Sequence, residues 1–229
     1  MSDLLCIATV ALVGIVQCSL QLSLGGLILL YHASMGKHRR RKTRHLSSAY
    51  ILGAMIISFL AVCACGFLIT ALFKSALKAE YLLICLGKFL ASALVMWLFY
   101  YRRGRSTELW LPRSFARFIQ KRARKTNDSI EAFSLGMLSS FAELPLSIAL
   151  YVLAANCILS ISAQYQLFVL FGYISLITLP LLVLKLRVKS GKNVVEVQKW
   201  RIRNKAFIRI ISGSGFLVLA TFIYTYWVL

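Results

Sequence analysis

Residues 131–160 read EAFSLGMLSSFAELPLSIALYVLAANCILS, and the two glutamates, Glu131 and Glu143, are the charged residues among them. A helix crossing the roughly 30 Å hydrocarbon core of a bilayer needs about 20 apolar residues in a row. Once in lipid, the run must be helical, because no water is there to satisfy its backbone N–H and C=O groups. The stretch therefore predicts a transmembrane helix carrying an acid deep in its apolar body.

Working outward, five more runs of the same kind appear, at about 4–31, 48–73, 80–101, 165–185 and 206–228. The 229 residues are 59% hydrophobic and 15% charged, where a soluble domain carries about a quarter charged residues. The fold class this predicts is an all-α polytopic membrane protein with six transmembrane helices in a single domain. The composition excludes a soluble enzyme. Met1-Ser2-Asp3 lacks a basic n-region, and the first run is too long for a secretory h-region, so it is read as a retained helix.

The formal net charge is +20, and 24 of the 27 Lys and Arg fall in three blocks, 37–44, 102–125 and 185–209. Lys74, Lys78 and Lys88 are the rest. The blocks follow helices 1, 3 and 5, and the positive-inside rule then puts them in the cytoplasm, with both termini outside. The charge reads as a topology signal and as contact with anionic lipid, not as a nucleic-acid interface. The expected location is a cell membrane, multi-pass.

The third loop predicts a surface helix over 107–126. Pro112 suits a helix start, and Phe115, Phe118 and Ile119 share a side ringed by Arg113, Arg117, Lys121, Arg122 and Arg124. Asn127-Asp128-Ser129 then reads as the cap of helix 4. A shorter surface helix over 192–205 has Val194, Val197 and Trp200 on its apolar side. Helix 3 runs from Gly87-Lys88-Phe89 to Trp97 and Tyr101, and helix 6 from Gly213-Ser214-Gly215 to Tyr224 and Trp227. Two three-helix halves with these echoes would be inverted repeats, because three is odd.

Of the seven acidic residues, Glu143 alone lies deep in an apolar run. An ionisable side chain there costs several kcal/mol unless paired, hydrated or protonated, and marks a transport or ligand site by default. The other role open to it is to lock helices together. Pro145 removes a helix donor and frees the Phe141 carbonyl, and Ser139 and Ser140 supply hydroxyls beside it. Lys88 in helix 3 is the natural partner, and Gln17 and Gln21 in helix 1 could line the same cavity. Six cysteines are scattered without a C-x-x-C pair, and all three histidines sit in the first basic loop. No metal site is expected on that spacing, nor any cofactor. Cys6, Cys18 and Cys157 are the candidates for redox chemistry, with buried structural thiols as the other reading.

The layout resembles the superfamily of lysine exporters (LysE) and cytochrome-c-biogenesis thiol transporters (CcdA and DsbD-like). The shared features are six helices, a basic loop after the first, and a long basic loop before a fourth helix that opens Glu131-Ala132-Phe133-Ser134-Leu135-Gly136-Met137-Leu138-Ser139-Ser140 and holds Pro145. The thiol transporters of that superfamily place a cysteine directly after a helix 4 proline and another in helix 1. Here Leu146 follows Pro145, and helix 1 has Cys6 and Cys18 but no proline. The resemblance then implies a small-solute exporter with its pocket between helices 1 and 4. The leading expectation is a small secondary transporter, not an enzyme, using a midplane polar site around Glu143 for a small solute or ion. A membrane thiol–disulfide electron carrier and a non-catalytic scaffold or complex subunit are the rival readings, with a protein partner or a homo-oligomer open in each.

Overall fold

The computed structural model describes residues 3–19, 23–35, 40–73, 79–98, 118, 121–123, 126, 128–189, 196, 199–200 and 203–228. Most of these residues form eight α-helices, α1 (Asp3–Ser19), α2 (Ser23–Met35), α3 (Arg40–Phe73), α4 (Ala79–Leu98), α5 (Ser129–Phe141), α6 (Leu144–Leu159), α7 (Ala163–Lys189) and α8 (Lys205–Ile223), and a closing π-helical turn, Tyr224–Val228. Residues 118, 121–123, 196, 199–200 and 203 are helical too, while most of the surface helices expected over 107–126 and 192–205 lies outside the described residues. The first and fourth expected helices are each divided in two. Between α1 and α2 the axis bends by 45°, and between α5 and α6 by 78°.

Four helices are long and apolar enough to cross a membrane, and up to six spans result if each bent pair is one. Phe67 and Leu72 on α3, Ile84 on α4 and Phe168 on α7 are each more than two-thirds exposed. So much outward-facing apolar surface suits lipid tails, not water.

Several boundaries differ from the sequence expectation. The first basic block is not simply a loop, because α3 begins at Arg40 and carries the later basic residues in its opening turns. A guanidinium stem costs a helix little, so charge alone does not end one. Similarly α7 runs on to Lys189. Asp128 does take the cap position of α5, in extended backbone, but no side-chain cap bond forms.

The apolar core has two parts. One cluster joins α1, α4, α6 and α8 with the second half of α3 and the first half of α7, around Phe89, Leu150, Leu153 and Phe216. The other joins α2 and α5 with the first half of α3 and the end of α7, around Leu27, Tyr50, Leu135 and Leu181. Both helix breaks fall between the two clusters. Pro180 lies at that level in α7, between Ile177 of one cluster and Leu181 of the other. The breaks therefore share one layer of the bundle.

The α3–α5 contact is close enough to exclude side chains. A Cβ on Gly136 would run into the Tyr50 carbonyl oxygen, and one on Gly53 into that of Phe133. Backbone-to-backbone approach of this sort is what small residues provide in membrane helices. On the other side α4 packs on α8, with the Phe89 and Phe216 rings stacked 6.0 Å apart. There Gly213 lies directly against the Trp97 indole.

Candidate functional site

The second break begins where α5 ends. Pro145 has no N–H to give the Phe141 carbonyl, and α5 stops at Phe141. Glu143 takes the N-cap position of α6, with Pro145 in that helix's first turn. The expected proline kink is thus a full interruption. The Glu143 carbonyl accepts the Ser147 N–H at 3.0 Å and its hydroxyl at 2.9 Å, which restarts the ladder.

The first bend, of 45° within the helix expected over 4–31, has no proline beside it, and residues 20–22 at the bend lie outside the described residues. Ser23 is the first described residue of α2, and the first N–H groups of a helix look outside it for an acceptor. The Ser23 N–H donates to the Glu143 carboxylate. Two half-helix N-termini, those of α2 and α6, therefore meet at Glu143. Each carries the positive end of its helix dipole, which favours an anionic group in that position.

Around this contact stand further polar groups. The Tyr50 hydroxyl donates to the Ser23 carbonyl at 2.7 Å, with the Ser139 hydroxyl beside it. Gly26 keeps open the space that both occupy. Ser139 itself donates to the Leu135 carbonyl at 2.8 Å. Lys88 reaches the same break from α4 and donates to the Pro145 carbonyl at 3.1 Å. Ser140 is buried, and its carbonyl accepts the Glu143 N–H at 3.1 Å.

Among the expected residues, the structure thus brings Glu143, Lys88, Ser139, Ser140 and Pro145 to one place. Gln17 lies in a second polar cluster, and Gln21 lies outside the described residues. Gln17 is buried, and its Oε1 accepts the Tyr173 hydroxyl. Its Nε2 has no hydrogen-bond partner among the described residues. The Tyr151 hydroxyl, which donates to Ser58 at 3.2 Å, is also close to Gln17 and within electrostatic reach of Glu143. Ser23, Tyr50, Ser58, Tyr151 and Tyr173 were not among the expected site residues. Tyrosines spaced through apolar runs resemble ordinary packing residues, and only their distant partners reveal them.

Cys6 and Cys157 occupy the far end of the larger core. The Ser162 hydroxyl donates to Asp3 Oδ2 at 2.6 Å, which ties the start of α1 to the end of α6. Just inside this tie, Cys6 on α1 and Cys157 on α6 are both wholly buried where the two helices pack together, within electrostatic reach of each other, and the Thr9 hydroxyl lies at Cys157. Cys18 is half-buried, one residue before the end of α1 at the first break, and all six cysteines are free thiols.

Interrupted helices meeting in a polar layer, inside an apolar helical bundle, define a polytopic membrane protein of the kind built around paired half-helices. The chain belongs to the family of the cytochrome c biogenesis protein transmembrane region, whose model matches residues 6–221. No curated protein and no solved structure matches it.

Proposed function

We propose that the chain is a membrane carrier of thiol reducing equivalents, with Cys6 and Cys157 as its exchanging pair. The observation that carries this reading is the burial of those two cysteines on the packed helices α1 and α6, one on each interrupted helix. Membership of a cytochrome c biogenesis family supports it. The small-solute exporter expected from the sequence gives way to it as the main reading.

The chemistry balances as follows. With the pair oxidised, a thiolate of a protein dithiol attacks one sulfur of the Cys6–Cys157 disulfide and forms a mixed disulfide. Its second thiol resolves that bond, and the donor leaves as a disulfide. Cys6 and Cys157 are left as two thiols, having gained two electrons and two protons. They then reduce an acceptor disulfide by the same steps in reverse.

A wholly buried thiol is out of a partner's reach, so exchange requires α1 and α6 to move. Each ends at a break, and hinge motions are taken up by just such element-terminal residues. In this reading each bent pair is one span, which gives six spans in two inverted three-helix halves. The basic blocks face the cytoplasm by the positive-inside rule. Cys6 and Cys157 lie away from the breaks, unlike the arrangement of the thiol transporters that the sequence resembles, while Cys18 adjoins the first.

The reading is tested by acid-quenching cells and tagging the remaining thiols with a large maleimide. A Cys6–Cys157 disulfide should appear in part of the population and vanish in Cys6→Ser and in Cys157→Ser. Full reactivity of both thiols under every redox condition would exclude the pair.

A second reading rests on a different observation, the convergence of two helix N-termini on Glu143 with Lys88 alongside. That site would suit a small solute or ion carried by alternating access. Coupled flux in proteoliposomes that is lost in Glu143→Gln but kept in a cysteine-free variant would favour it over the thiol carrier.

A further inference from the structure

We infer that the groove between α5 and the residues just before it is a binding site for an anionic phospholipid. The groove encloses about 320 Å³, near the lower end of the range for small-molecule sites. One wall is formed by Phe118, Arg122 and Thr126, and the other by Ile130, Ser134 and Leu138 on α5.

The shape suits one end of a lipid at each end of the groove. Ile130, Ser134 and Leu138 are four residues apart and so lie in a row down one face of α5. At 1.5 Å per residue that row extends about 12 Å from the first turn towards the middle of the bundle. Ile130 is 82% exposed, so the apolar row opens sideways, where an acyl chain would enter from the bilayer. At the mouth the Arg122 guanidinium lies over the Phe118 ring, 5.9 Å from its centroid. Stacking of that kind holds a guanidinium in place and leaves its N–H donors in the plane free for phosphate oxygens.

Charge decides the class of lipid. Arg122 and its neighbour Lys121 are exposed, and Arg124 and Lys125 follow in the sequence. Glu131 also lines the groove but is already engaged within the protein. With Glu131 engaged, Arg122 is the charged side chain that the groove's lining presents to a ligand, which favours a phospholipid with net negative charge over a zwitterionic one. The apolar row distinguishes a lipid from free phosphate, which would gain nothing from it. This site is separate from the cysteine pair, and the inference is independent of the thiol-carrier reading.

The test uses the full chain purified in mild detergent, with phosphatidylglycerol and phosphatidylcholine supplied equally and retained lipid counted by native mass spectrometry. The wild type should retain phosphatidylglycerol at least fivefold over phosphatidylcholine. Arg122→Gln should erase that preference, and Ser134→Phe, which fills the groove without changing charge, should lower retention of both. An unchanged thermal midpoint in each variant establishes that the fold is intact. Wild-type retention of phosphatidylglycerol by both variants, equal retention of the two lipids by the wild type, or displacement by millimolar inorganic phosphate would overturn the inference.

Discussion

The Glu143 carboxylate accepts the backbone N–H of Ser23, joining the start of α2 to the break between α5 and α6 across 120 positions of sequence. One side chain thereby satisfies an orphan donor of a half-helix and links the two interrupted helices. Hydrogen bonds to a charged group contribute about 1.5–3 kcal/mol. Glu143→Ala should lower the unfolding free energy by about 2 kcal/mol, measured by denaturation in detergent micelles. Glu143→Gln keeps an acceptor oxygen and should lose about half as much. Equal losses in the two variants would mean that the carboxylate's charge and oxygen are not what holds α2.

The approach of α3 to α5 makes a second prediction. Any Cβ on Gly136 meets the Tyr50 carbonyl, which is backbone and does not swing aside. Overpacking of this kind costs about 1–3 kcal/mol. Gly136→Ala should therefore destabilise the protein, whereas Gly66→Ala should not, since nothing lies within 4 Å of a Cβ there. Thermal midpoints of the two variants, measured side by side, check the contrast.

Gln17 and Tyr173 form a third pair, and their energies should not add. Tyr173→Phe removes the hydroxyl that donates to the buried Gln17 Oε1, at a cost of about 1 kcal/mol. Gln17→Leu removes that buried amide altogether, including the Nε2 that has no partner. A double-mutant cycle of the two should therefore show the combined loss falling short of the sum. Strict additivity would show that the Tyr173–Gln17 bond carries no coupling.

Glu143 and Pro145 were legible in the sequence because each violates its surroundings, an acid in an apolar run and a ring without an N–H. They led directly to the second break. The first break was not legible, because no proline or glycine marks residues 20–22. The contact on its far side, the Ser23 N–H on Glu143, is tertiary, and local propensity cannot show it. Lys88 was expected to partner Glu143, and its ammonium donates to the Pro145 carbonyl two residues on. Tyr50, Tyr151 and Tyr173 passed as packing residues, since a tyrosine's apolar body fits a core and its hydroxyl counts only once a partner is known. The burial of Cys6 and Cys157 on packed helices was the least legible of all. It depends on α1 and α6 lying side by side, which spacing within either helix does not encode.

The most direct test of thiol transfer is in proteoliposomes loaded with a protein dithiol and an impermeant phosphine reductant, with a disulfide-bonded reporter protein outside. Vesicles with the wild-type chain should reduce the external reporter at least tenfold faster than empty ones. Cys6→Ser and Cys157→Ser should each fall to the empty-vesicle rate, and Cys63→Ser should not change it. External reduction that persists at the wild-type rate when both Cys6 and Cys157 are serine would contradict the assignment of the pair.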